Sequence, residues 1–196
     1  DHVTEAKKDV TIVDTVSYEG LEVDREYTVK GVLMNKATGK VITVNGKEVT
    51  AETTFTAEKS EGSVDVIFTF DASAIEGTTV VAFETLTYKG IEIAVHAEIE
   101  DKDQTVYIPK VRTSAIDKTT KINHTEATKE ATIIDTVSYE GLEIGREYTV
   151  KGVLMDKTTG KELLVDEEQI VSEETFVADK AGMTITLTYT LDASKL

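Results

Sequence analysis

The sequence predicts an all-β fold arranged as two tandem β-sandwich domains. Three observations support this. Valine, threonine, isoleucine and tyrosine are plentiful and tryptophan is absent, a composition that favours strands over helices. Short apolar runs with period-two alternation recur along the chain, separated by turn residues, and no stretch shows a helical period. The chain also repeats itself over most of its length, so one domain type accounts for both halves.

The repeat sets the organisation. Residues 9–75 align without gaps on residues 130–196, with 35 of 67 positions identical at an offset of 121. The stretch from Asp14 through Glu22 recurs from Asp135 through Glu143, and Arg25 through Met34 recurs from Arg146 through Met155. The only proline, Pro109, lies between the copies. Proline has no backbone donor, so it suits a junction better than a central strand. The expected domains are therefore 1–108 and 109–196. Residues 110–129 form a lead-in to the second copy that the first mostly lacks, and residues 76–108 form a tail that the second lacks. The first copy is expected to lack its first strand and the second its last strands. The opening Asp1-His2-Val3-Thr4 reads as internal to a longer chain.

The elements follow in order. Val10–Tyr18 and Glu26–Met34 read as strands around a Gly20 turn. Asn45-Gly46, between Val41–Val44 and Glu48–Ala57, is a strong hairpin signal. Val64, Val66, Phe68 and Phe70 alternate with polar or outward positions. Thr78–Tyr88 and Ile91–Glu98 flank Lys89-Gly90, a second hairpin. Gln104–Ile108 closes the first copy and Val111–Ile116 opens the second.

Charge and composition exclude some functions. A net charge of −16 disfavours nucleic acid as a partner, since phosphate binding needs a basic surface. With no cysteine, neither a disulfide nor a thiolate metal site can form. No apolar run approaches membrane-spanning length, so no membrane insertion is expected in this segment. No cofactor motif or metal-ligand spacing stands out. Asn123-His124-Thr125 matches a glycosylation sequon by chance-level pattern, and Asp101-Lys102-Asp103 reads as a solvated loop.

Several polar residues sit in apolar phase. Strand residues two apart share a face. Asp14 shares its face with Val10, Ile12 and Val16, and Asp135 repeats this in the second copy. Glu84 shares its face with Val80, Ala82 and Leu86; Gln104 with Val106 and Ile108; Thr113 with Val111 and Ala115. His96 falls in phase with Glu92, Ala94 and Glu98, opposite the isoleucines and Val95, unless a bulge intervenes. Buried threonines, glutamines and histidines are usually structural. Two carboxyls in apolar phase within one domain are a stronger signal, because an unpaired buried carboxylate is costly or forced neutral. A neutral carboxyl can donate a hydrogen bond and polarise a carbonyl.

The ordered set Val81-Ala82-Phe83-Glu84, His96 through Asp101, and Gln104-Thr105-Val106 resembles the VaFE-repeat, Thr–Gln ester-bond domains of Gram-positive cell-wall-anchored adhesins. The Asp-Thr-Val-Ser-Tyr segments and the lead-in from Val111 through Asp117 fit the same pattern, so the resemblance spans essentially the whole chain. It implies immunoglobulin-like sandwiches that cross-link themselves once and are not turnover enzymes. A threonine on the first strand attacks the side-chain amide of a glutamine on the last strand, and ammonia leaves. On that pattern Gln104 is the first copy's electrophile, with Asp14, Glu84 and His96 assisting. Thr113 is the second copy's nucleophile, with Asp135 assisting. The partners of Gln104 and Thr113 would lie outside this chain.

The implied role is an extracellular stalk segment whose partners are neighbouring repeats of the same array, with a host-surface ligand bound by other domains. Three alternatives stay open. The sandwich loops could recognise host matrix or glycan, although no tryptophan is available for such a surface. A pilin-type domain with Lys–Asn isopeptide bonds would need a buried lysine facing an asparagine. A turnover enzyme would need a complete catalytic set in a pocket.

Overall fold

The computed structural model describes residues 2–196. It separates into two compact units, Asp1–Lys110 and Val111–Leu196. The first contains β1 (Val10–Tyr18), β2 (Glu26–Asn35), β3 (Lys40–Val41), β4 (Thr43–Val44), β5 (Lys47–Glu48), β6 (Thr50–Thr56), β7 (Gly62–Phe70), β8 (Thr78–Tyr88), β9 (Ile91–His96) and β10 (Thr105–Ile108). In this unit β1 pairs antiparallel with β7, from Val10 opposite Phe70 to Tyr18 opposite Gly62. A six-stranded sheet faces that ribbon. Its centre is β8, with β2 on one side and β10 and β9 end to end on the other.

The two layers form a β-sandwich because their alternating apolar faces meet. Ile12, Val66 and Phe68 from the ribbon join Val29, Leu33 and Val80 from the sheet in one buried cluster. Phe68, Val66 and Val80 are fully buried. Each such side chain contributes about 1.5–3 kcal/mol by leaving water. Opposite Glu84 on β2 stands Gly31, and a Cβ there would lie 2.5 Å from Cζ of Phe68. The missing side chain lets the Phe68 ring fill the layer beneath the site.

Turn chemistry follows the sequence closely. Asn45-Gly46 and Lys89-Gly90 all have positive φ, between 51° and 78°, as a tight two-residue hairpin turn requires. The expected single hairpin around Asn45 is split, however. Lys40–Val41 stays on β2, and only Thr43–Val44 pairs with Lys47–Glu48. Two 3₁₀ turns, Ala72–Ile75 and Ala193–Lys195, were not expected, because each is too short to carry a period. Asp71 caps the first by accepting from the Ser73 amide at 3.0 Å, and Asp192 does the same for Ser194 at 3.1 Å.

The second unit holds β11 (Lys110–Asp117) from Val111 onward, then β12 (Ala131–Glu140), β13 (Glu147–Val153), β14 (Met155–Asp156), β15 (Lys161–Glu162), β16 (Leu164–Val165), β17 (Glu168–Gln169), β18 (Val171–Val177) and β19 (Met183–Leu191). Its main sheet runs β11-β12-β19, and β13 pairs with β18. Val137, Leu187 and Tyr189 form one small core and Ala131, Leu191 and Ala193 another. Asp117 ends β11 by accepting from the Thr119 and Thr120 amides and the Thr125 hydroxyl. Those bonds, the Thr120 amide first, hold its pKa down to about 2.

Each copy displays a pairing not seen in the other among the described residues. In the second, β11 lies on the edge of β12; in the first, β1 pairs only with β7. In the first, β2 carries β8 on its second edge; in the second, β13 pairs only with β18. This corrects the expectation that Thr113 points into a core. Thr113 is exposed, and Val111 on its face is 58% exposed. Alternation assigns a face to a strand, but a second layer must cover that face to bury it. Among the described residues of this unit, none covers it here.

Candidate functional site

Asp14 projects from β1 into the sandwich and is 7% exposed, on the face it shares with Val10 and Ile12. Glu84 comes from β8 in the opposite layer and is 3% exposed. One oxygen of each, Oδ2 of Asp14 and Oε1 of Glu84, is buried without a hydrogen-bond partner. The two carboxyls come from facing layers of the same core, and each is buried among apolar side chains. Two adjacent carboxyls in a dry site cannot both ionise cheaply, so the pair retains a proton. Burial, and then the proximity and charge of Asp14, push Glu84 up to about 9. Glu84 is therefore a neutral acid at neutral pH, able to donate.

The flank of β8 brings the other residues to this acid. Thr105 pairs with Val81, and the Gln104 carbonyl accepts from the Ala82 amide at 3.1 Å. Gln104 is thus opposite Ala82, on the same inward face as Glu84 and one inward position away from it. It is half-buried in the turn before β10, rather than at the start of that strand. His96 stands directly opposite Glu84.

This placement of His96 corrects the phase read from sequence. The register shifts at Leu86/Thr87: Leu86 faces Ala94, while Thr87 faces Glu92. Ile93 is the extra residue, and a bulge of one residue inverts the faces of everything beyond it. Ile91 opposite Tyr88 and His96 opposite Glu84 therefore share one face. The strand is an edge and His96 remains exposed.

Asp101 is the residue that sequence reading missed. Its Oδ2 lies 2.9 Å from His96 Nε2, and its Oδ1 accepts from the Asp103 amide at 2.8 Å. The Asp103 amide first, and then the His96 ring, hold Asp101 below the usual carboxylate range. The Thr105 hydroxyl donates to the Asp101 carbonyl, and Lys36 Nζ donates to that hydroxyl at 3.3 Å. A loop read as solvated is thus a turn that ties His96 to Gln104. The available signal was an aspartate five positions after a histidine at a strand end. Replacing Asp101 by alanine is expected to speed hydrogen exchange at the Asp103 amide roughly five- to tenfold, about one hydrogen bond's worth. Unchanged exchange there would count against this role for the turn.

A groove of about 540 Å³ opens beside these residues, lined by Asp14, Ile12, Leu33, Ala82 and Gln104. A second hollow of about 200 Å³ is lined by Glu84, His96, Leu86 and Val16. Asp14 lines the first of these and Glu84 the second. Among the described residues no cluster of histidine or acidic side chains could hold a metal ion. In the second unit Asp135 is half-buried, and its Oδ1 has no partner. Its charge adds to burial in pushing Tyr139 up to about 12 and Tyr189 upward. Thr113 stands on the neighbouring strand β11.

The profile of the T-Q ester bond containing domain matches residues 1–108 and again residues 109–196. The chain belongs to this family. T-Q ester bond domains are not an enzyme family. No curated protein matches the chain. Among solved structures, the T-Q pair is similar to a Mobiluncus mulieris adhesin described as containing intramolecular disulfide, isopeptide and ester bond cross-links. In one crystal form the TM-score is 0.44 at 14% identity, covering 82% of this chain and 87% of the adhesin chain. In a second form it is 0.42 at 11% identity, covering 94% and 93%.

Proposed function

We propose that this T-Q pair is a load-bearing stalk segment of an extracellular, cell-wall-anchored bacterial adhesin, and that each repeat is closed by a Thr–Gln ester. The observation that carries this reading is the two buried carboxyls, Asp14 and Glu84, beside Gln104. An amide is a poor electrophile. A hydrogen bond from neutral Glu84 to the Gln104 carbonyl oxygen would stabilise the oxyanion that forms when a hydroxyl adds. His96, held by Asp101, would take the hydroxyl proton and pass it to the leaving nitrogen. The amide C–N bond breaks, ammonia departs and the ester remains.

In this reading the domains are 1–108 and 109–196. Gln104 is the acceptor of the first, and Thr113 is the nucleophile of the second with Asp135 as its acid. Proximity on neighbouring strands supplies about 7–11 kcal/mol in well-oriented cases, enough to make a weak nucleophile react once. Joining first and last strands closes a loop of roughly 100 residues, which removes about 4–5 kcal/mol of unfolded-chain entropy. Force applied at the ends then loads a covalent bond instead of the sheet.

The test is intact mass of a full repeat that begins at Lys110 and carries its own last strands. Wild type is expected to be lighter than its sequence by one ammonia, and Thr113→Ala to have the full sequence mass. Full mass in both would remove the reading.

A further inference from the structure

The groove beside Gln104 admits a nucleophile other than a threonine. It is bounded on one side by β1, whose outer edge has no strand partner among the described residues. Asp14 and Gln104 both line it. Two of the β1 hydroxyls beside it are engaged elsewhere, and Thr4, which also lines the groove, is held by its amide to the Tyr107 carbonyl at 2.9 Å. Thr15 donates to Asp65 at 2.8 Å, and Thr11 meets Thr69 across the outer face of the ribbon. Glu84 and His96 stand opposite each other on β8 and β9, next to the strand position that Gln104 faces. Glu84 is buried in the same core as Asp14, and His96 is held through Nε2 by Asp101, which leaves Nδ1 to receive a proton.

We infer that, with the groove open, water takes the place of the strand hydroxyl and converts Gln104 to glutamate. Water adds to the amide carbon while His96 takes one of its protons. The C–N bond breaks, the proton passes to the nitrogen and ammonia leaves. One water is consumed, one ammonia is released and nothing is oxidised or reduced. The product carboxylate cannot be acylated onto a threonine by the same route, because it has lost its ammonia leaving group. An unfilled domain would therefore retire itself from cross-linking, and strand docking would compete against a hydrolytic clock. This deepens the proposed function and rests on its assignment of Glu84 and Gln104.

The chain carries its own control. Its only other glutamine, Gln169, lies exposed on β17. The chain as it stands is incubated in ¹⁸O-labelled water and mapped by peptide mass. Label is expected in residue 104 about 100-fold faster than in residue 169, within the range of a positioned general acid. Glu84→Gln, which keeps size and shape, should bring residue 104 to the rate of residue 169. Unfolding the wild type in urea should do the same without any substitution. Equal rates at the two glutamines in the folded wild type would overturn the inference, as would a fast rate that survives Glu84→Gln or urea. If a full repeat forms its ester while this chain shows no conversion, the hydrolytic step alone is wrong. If neither occurs, the reading of the site falls with it.

Discussion

Raising the pH from about 5 to about 9 will weaken the first unit, and Glu84→Gln will remove most of that dependence. The sign follows from proton counting. Glu84 titrates from an unfolded value of 4.5 to a folded value of about 9. Between those values the folded chain holds a proton that the unfolded chain has released. Stability from this group is complete below the unfolded value and is lost steadily as pH rises toward the folded one. The slope is at most about 1.4 kcal/mol per pH unit for one proton. Urea unfolding of wild type and Glu84→Gln at several pH values reads the titration of the carboxyl pair, since groups away from it cancel in the difference. Parallel curves for the two proteins would show that Glu84 is ionised in the fold, and the oxyanion role would go with it.

Phe68→Ala should cost the first unit about 3–5 kcal/mol, the range for emptying a large aromatic from a core. Phe68 is fully buried and stands over Gly31, where a Cβ would come within 2.5 Å of its ring and 3.0 Å of Val66 Cγ1. Gly31→Ala alone should therefore cost about 1–3 kcal/mol by overpacking. In the Phe68→Ala background the same methyl enters space the ring has vacated, so its cost should shrink or change sign. Residues in contact couple by about 0.5–3 kcal/mol, and urea unfolding of the four proteins measures that coupling. Strict additivity would mean that the ring and the glycine do not set each other's place. The second copy makes the same close approach with Gly152, where a Cβ would meet Tyr189 Oη and Leu187.

Local rules were readable where the chain decides its own geometry. The alternation of Val10, Ile12, Asp14 and Val16 places Asp14 inside, and the same rule places Glu84 inside. Asn45-Gly46 and Lys89-Gly90 carry their turn geometry in their residue types. Asp166-Glu167, the second copy's counterpart of Asn45-Gly46, also adopts positive φ without any glycine. There the flanking strands impose a conformation that the residues disfavour, so residue type alone would have hidden the turn.

What composition and alternation settle is an all-β chain, its duplication, and a carboxyl pair on buried faces, because each depends on neighbours two or a few residues away. The facing of His96 was decided by the bulge at Ile93, which exists only because β9 must stay paired with β8. The exposure of Thr113 was decided by the absence of a covering layer among the described residues. The part played by Asp101 was decided by a turn that folds back onto His96. A period can say which way a side chain points. Only the packed layers say whether anything is there to meet it.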